Sequence, residues 1–255
     1  MTAGKPLEHA ALTHEGRVRT NNEDAYCVRA EEGLFVVADG MGGHENGEWA
    51  SAAIVDALRA APLPAGFDEA SLAIADALHR ANAVIFAEAE SRALQMGSTV
   101  VALLIRDGRF AVLWVGDSRA YLFRGQELVR ISHDHTQVQE MIDRGLLGPD
   151  DAEGHPMSHV LARAMGVREV VEVDIIADEV ESGDVFLLCS DGLMARVDDA
   201  EIAGALADPD PEGRAERLVK MTLDRGAPDN VTVITVGVPQ TTMLRLNQPI
   251  HLVTP

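Results

Sequence analysis

Leu34-Phe35-Val36-Val37-Ala38-Asp39-Gly40 is an apolar run of strand length that stops on an acid beside a glycine. The pattern returns twice. Residues 110–115 run into Gly116-Asp117, and Val185–Cys189 runs into Ser190-Asp191-Gly192. Apolar β-type runs bounded by Asp and Gly read as strands closing into loops. One such Asp-Gly is ordinarily a turn. Its recurrence asks for more, because a carboxylate at a strand end beside glycine is exposed and rigidly placed. Several of them meeting at one point would repel each other unless a cation stood between. Hard divalent cations with oxygen ligands fill that role. The candidate acids are Glu23, Asp24, Asp39, Asp117, Asp191 and Asp229.

Outward from these acids, helices and strands segregate. Glu45–Ala60 carries Trp49, Ala52, Ala53, Val55 and Leu58, and residues 70–94 carry Ile74, Leu78, Ala81, Ile85 and Ala89, all at helical spacing. Residues 96–105, 109–115 and 120–124 read as successive strands with tight turns at Asp107-Gly108 and Arg124-Gly125. Residues 136–144 read as a helix, 145–166 as an irregular insert, 198–206 and 211–225 as helices, and 231–238 as a strand. Helices early and late around an antiparallel middle predict an α+β fold. Residues 1–238 read as one domain and 239–255 as a C-terminal tail.

Composition narrows the classes. The chain has 255 residues, 47% of them apolar, which suits a full globular core and not a disordered segment. No apolar run approaches the roughly 20 residues of a membrane-spanning helix. Residues 1–8 show no apolar leader, and Cys27 and Cys189 lie far apart, so a cytoplasmic location is expected. The net charge of −20 opposes nucleic acid and anionic lipid. It opposes a phosphorylated substrate too, so a phosphate site here needs metal ions or a few placed arginines.

Seven segments then fall in a telling order: Arg19-Thr20-Asn21-Asn22-Glu23-Asp24, Val37-Ala38-Asp39-Gly40-Met41-Gly42-Gly43-His44, Gly97-Ser98-Thr99, Val115-Gly116-Asp117-Ser118-Arg119-Ala120-Tyr121, Asp134-His135-Thr136, Leu188-Cys189-Ser190-Asp191-Gly192-Leu193 and Asp229-Asn230-Val231-Thr232. The series resembles the motifs of the bacterial metal-dependent protein Ser/Thr phosphatases of type 2C (PPM), over residues 8–238. The resemblance implies a four-layer α-β-β-α sandwich, two central antiparallel sheets flanked by helices. It implies two Mn²⁺ or Mg²⁺ ions, with a third, weaker one. Asp39 would bridge the pair and the Gly40 carbonyl would join one of them. Asp191 and Asp229 would complete the first site, and Glu23 would serve the second, with Asp24 holding a water. Asp117 would share the third ion with Asp191, and Arg19 would grip the phosphate. The implied reaction is hydrolysis of phosphoserine and phosphothreonine by a metal-activated water, which needs mainly positioning and charge neutralisation. The implied partners are phosphorylated proteins and a cognate Ser/Thr kinase, with neither nucleic acid nor membrane, and no oligomer is expected. The insert at 145–166 resembles the flap beside the active site.

One position departs from some members of the family, chiefly eukaryotic ones. They carry a histidine two residues after the bridging acid, proposed as general acid; here it is Met41, leaving His44 or a water. Two rivals stay open: a catalytically idle module that binds phosphoproteins or a kinase, and a small-molecule phosphoesterase. Retention of every metal-ligand type argues against the first. Other motifs are weaker. Cys189 to Arg196 is one residue too long for a cysteine-phosphatase loop, and the cysteines read as structural. Ser118 is followed by a strand pattern, where a nucleophile elbow needs a helix. Gly40-Met41-Gly42-Gly43 lacks the third glycine of a dinucleotide loop, since position 45 is Glu. His133 and His135 alternate as a metal pair would, but the resemblance places them outside the metal centre.

Overall fold

The structure, a computed structural model, describes residues 6–43, 45–148, 151 and 155–239. Two antiparallel sheets lie at its centre. The first orders β1 (Glu8–His14), β11 (Val231–Gly237), β10 (Val185–Cys189), β7 (Arg119–Arg124) and β8 (Glu127–Arg130). The second orders β2 (Asp24–Arg29), β3 (Leu34–Met41), β5 (Val100–Arg106), β6 (Arg109–Val115) and β9 (Asp174–Glu179), with β4 (Gly97–Ser98) pairing the end of β3. Helices α1 (Glu45–Ala60) and α2 (Phe67–Arg92) cover the second sheet, and α4 (Asp191–Met194), α5 (Asp199–Leu206) and α6 (Pro211–Asp224) cover the first. A further short helix, α3, spans Gln137–Asp143.

The four layers follow from the period-two geometry of strands whose two faces are both buried. In β3, Leu34, Val36 and Ala38 pack beneath α1 and α2, while Phe35 and Val37 face the other sheet. In β10, Val185, Leu187 and Cys189 pack beneath α4 to α6, while Phe186 and Leu188 face inward. Phe110 meets Phe186 across the sheets with ring centroids 4.9 Å apart. This double burial is why the central strands read as continuous apolar runs.

The edge strands were not visible in that way. β1 and β9 carry polar and charged residues, and β9 is almost wholly exposed apart from its ladder to β6. Asp191 also differs from expectation. It does not sit in a strand-end turn but opens α4, with Ser190 before it in extended conformation. The expected tail, apart from Pro239, lies outside the described residues.

Candidate metal and phosphate site

Both sheets deliver acids to one end of the sandwich. Asp24 on β2 stands opposite Asp39 on β3, so the two side chains leave the same face as neighbours. Asp39 is fixed through its backbone. Its N–H donates to Thr99 Oγ1 at 3.2 Å, and its carbonyl accepts from the Thr99 N–H at 2.8 Å and Ser98 Oγ at 2.9 Å. Thr99 Oγ1 also bonds Ser118 Oγ at 2.6 Å, which ties Asp39 to the turn carrying Asp117. A Cβ on Gly116 there would lie 2.7 Å from Thr99 Cγ2, so that close approach requires glycine.

Asp229 and Asn230 enter β11. Asn230 acts as a clamp: its Oδ1 accepts from the Glu23 N–H at 2.8 Å, and its Nδ2 donates to the carbonyls of Glu15 at 2.9 Å and Asn21 at 2.8 Å. Glu23 is held from the other side by α1. Ser51 Oγ donates to the Glu23 carbonyl at 2.6 Å, and a Cβ on Gly47 would fall 1.9 Å from Glu23 Oε2. Gly40 packs against Gly47 so closely that its own Cβ would lie 2.0 Å from the Gly47 carbonyl oxygen.

A cleft of about 950 Å³ opens over these groups, lined by Arg19, Glu23, Asp39, Gly40, Asp117, Asp191 and Asp229. Residues 159–164 of the insert line it too, with His159 and Arg163, and so does Arg196. The structure thus gathers every sequence-predicted site residue into the cleft except two. Asp24 is buried beside Asp39 without lining the cleft, and His44 lies outside the described residues.

Electrostatics at this end are dominated by crowded acids. Burial, then the charges of Asp24, Asp191, Asp117 and Asp229, hold Asp39 well above the usual carboxylate range. Burial raises Asp24 to about 7, reinforced by Asp191 and Asp229 and opposed by the Thr232 and Ser190 hydroxyls. Burial raises Asp117 to about 7 as well, with Asp191 and Asp134 adding to it. Asp191 is raised by burial and by Asp229, while a hydrogen bond with Asp39 and the charges of His159 and Arg19 pull it back.

Arg19 is the one placement that departs from the expected division of labour. Its Nε and Nη2 donate to Asp229 Oδ1 and Oδ2 at 2.9 and 2.7 Å. The expected phosphate grip and the expected metal ligand hold each other in a bidentate pair. The residues that sequence reasoning missed are the supports, Asn230, Ser190, Thr99 and Gly47. Thr99, Ser190 and Asn230 stand in the quoted motifs, which gave them no role, and Gly47 carried a separate signal, since glycine in the first turn of a helix costs stability unless something packs against it closely. The histidine pair separates: His135 Nδ1 accepts from the Gly116 N–H at 3.0 Å, while His133 Nε2 bonds Asp143 at 2.9 Å.

Among the described residues no three His, Cys, Asp or Glu side chains close on one point as a finished metal cage. The Arg19–Asp229 pair stands in its way. It answers the excess of negative charge at this end, and a divalent cation answers that excess more strongly. The donors fit such a cation. They are hard carboxylate oxygens, and Asp24 Oδ1 is buried with no hydrogen-bond partner.

A family model described as Protein phosphatase 2C matches residues 13–221. The chain belongs to the protein phosphatase 2C family. It is 41% identical over 240 residues to the Serine/threonine protein phosphatase PstP of Mycobacterium tuberculosis, covering 91% of this chain and 45% of that protein. It therefore spans about half the length of that curated relative. A solved structure of PppA, a key regulatory component of T6SS in Pseudomonas aeruginosa, superposes with a TM-score of 0.85 at 42% identity, covering 91% of this chain and 98% of that one. The catalytic domain of PstP in complex with two manganese ions superposes with a TM-score of 0.81 at 37% identity, covering 92% and 99%. The α-β-β-α layering expected of a protein phosphatase 2C chain is the one it shares with these structures. Among the described residues no helix is long and apolar enough to cross a membrane.

Proposed function

We propose that this chain is a metal-dependent phosphatase that hydrolyses phosphoserine and phosphothreonine in proteins, with two Mn²⁺ or Mg²⁺ ions held by its acid cluster. The observation that carries the proposal is the convergence of Asp39, Asp117, Asp191, Asp229 and Glu23 with Arg19 in one cleft. The manganese complex of the PstP catalytic domain supports the choice of ions. Asp39 would be shared by the two ions and the Gly40 carbonyl would join one of them; Asp191 and Asp229 would complete the first site, Glu23 would serve the second, and Asp117 with Asp191 would hold a third, weaker ion. When bound, the cations supply positive charge for the phosphoryl oxygens and a nucleophilic water at neutral pH.

The chain's own residues do the rest. Arg19 leaves Asp229 and places its fork on two phosphate oxygens, a planar match that a lysine lacks. Asp24, held by Ser190, orients water beside Asp39. The proton for the leaving hydroxyl comes from His44 or from water. The insert at 145–166 acts as a flap, its 159–164 stretch lining the cleft. Residues 1–238 form the single catalytic domain, and 239–255 are a tail. The chain works in the cytoplasm, as a monomer, on targets of a Ser/Thr kinase.

The test is release of inorganic phosphate from phosphothreonine and phosphoserine peptides and from a sugar phosphate, with Mn²⁺ and after chelation. Metal-dependent cleavage of the peptides is expected. Preference for the sugar phosphate would make the chain a small-molecule phosphoesterase. Peptide binding without release at saturating metal would make it a binding module.

A further inference from the structure

Beside the acid cleft lies a second cavity of about 430 Å³ with a different character. Its walls are Met41, Phe86, Leu94, Met96 and Val167, with Glu90 the one charged side chain. The two cavities are neighbours that share a wall, since Met41, Gly42 and Val167 line both. Leu94 and Val167 stand at the rim, 40% and 52% exposed, while Met96 is buried behind them. The site is rigidly built on two glycine turns. Gly42 and Gly166 have φ of +125° and +78°, and a Cβ on them would lie 2.5 Å from the Gln95 carbonyl oxygen and 2.1 Å from Ile85 Cγ2.

We infer that this cavity is a substrate subsite that takes an apolar side chain of the phosphorylated protein, two to four residues from the phosphorylated one. The inference rests on the phosphatase reading above. Met41 follows Asp39 by two residues on one strand, so the cavity begins about 7 Å from the acid cluster. An extended peptide advances about 3.3 Å per residue and reaches the same point in two or more steps. A chain whose phosphate sits at Asp39 and Arg19 therefore lays a neighbouring side chain over Met41 and Val167. Thioether and aromatic walls adapt to leucine, methionine or phenylalanine. An acidic side chain there would meet Glu90 and an apolar wall, which both disfavour it.

The experiment is a scan of leucine, alanine and glutamate through positions flanking phosphothreonine in a short peptide, read as kcat/KM with Mn²⁺. Leucine at one or two positions, two to four residues away, is expected to raise kcat/KM over glutamate on the order of tenfold. Leu94→Glu and Phe86→Ala, at positions that line this cavity and not the acid cleft, are expected to lose that preference. p-Nitrophenyl phosphate, which has no flanking residues, reports on fold and metal chemistry in each variant. A flat scan with peptides still cleaved overturns the subsite and leaves the phosphatase reading standing. A preference that survives in both variants, each still active on p-nitrophenyl phosphate, also overturns it. Cleavage of no phosphopeptide overturns the phosphatase reading itself.

Discussion

Ser190 Oγ donates to Asp24 Oδ2 at 2.7 Å, while Oδ1 of the same carboxylate is buried with no partner. The Ser190 hydroxyl also accepts from the Thr232 N–H at 3.0 Å, so it joins the acid cluster to β11. Removing it takes that acceptor from the Thr232 N–H and one hydrogen bond from the buried Asp24 carboxylate. Ser190→Ala is expected to destabilise the fold by about 2 kcal/mol, the usual cost of an orphaned buried group. Urea denaturation would check this, and an unchanged midpoint would deny the hydroxyl that role.

The raised acids give a pH dependence with a definite sign. Asp24 and Asp117 titrate near 7 in the folded state, against an ordinary value of 3.8. Between those values the folded chain holds more protons than the unfolded one, so stability falls as pH rises through about 7. Without divalent cation, the melting temperature at pH 5.5 is expected to exceed that at pH 8 on the order of 5 °C. Glu201, lowered to about 2 beside Arg225, acts the other way but only at more acid pH. Mn²⁺ is expected to raise the melting temperature far more at pH 8, because it competes with protons for the same oxygens. Differential scanning calorimetry at both pH values reads both effects.

The Arg19–Asp229 pair is cheap to open. Its side chains are 54% and 37% exposed, and ion pairs so placed contribute about 0–1 kcal/mol. Arg19→Ala is therefore expected to tighten Mn²⁺ binding by no more than about fivefold, by freeing Asp229. It is expected to lower kcat/KM for a phosphopeptide at least tenfold, roughly the loss of one charge-assisted contact. Calorimetric titration with Mn²⁺ and steady-state kinetics separate the two; weaker metal binding would show that Arg19 supports the site instead of competing for it.

Gly47 offers a contrast within helices. Gly→Ala in an exposed helix interior ordinarily stabilises by about 1 kcal/mol. That is the outcome expected for Gly204 in α5, where an added Cβ meets nothing within 4 Å. At Gly47 the Cβ would strike Glu23 Oε2 and lie 2.9 Å from the Gly40 carbonyl carbon. Gly47→Ala is expected to destabilise by about 1–3 kcal/mol and to weaken binding of the second Mn²⁺ roughly tenfold. Parallel denaturation and metal titration of the two variants would show whether the contrast holds.

How much could be read from the sequence depended on burial. Glu45–Ala60, Arg109–Val115 and Val185–Cys189 have the bounds expected of them, because strands buried on both faces and an amphipathic helix write strong patterns. β1 and β9 were not legible, because an edge strand held by one ladder needs no apolar period. Arg19, Glu23, Asp39, Gly40, Asp117, Asp191 and Asp229 could be named through their motif order, and the fold places them in one cleft. Thr99, Ser190 and Asn230 lie in the same motifs, but what each of them holds could not be read there. The reach of Asn230 to Glu15, Asn21 and Glu23 crosses more than 200 residues of chain, and only the packed structure relates them. The pairing of Arg19 with Asp229 was hidden for the same reason.

Asp39 carries the proposed metal chemistry, as the ligand that the two cations would share. The most direct measurement is phosphate release from a phosphothreonine peptide at saturating Mn²⁺, comparing the parent chain with Asp39→Asn. The side chains have the same shape, and only the bridging charge is lost. Release by the parent that requires Mn²⁺, with a loss in Asp39→Asn on the order of a hundredfold or more, is expected. Equal rates for the two proteins, or full activity of the parent after chelation, would contradict the account.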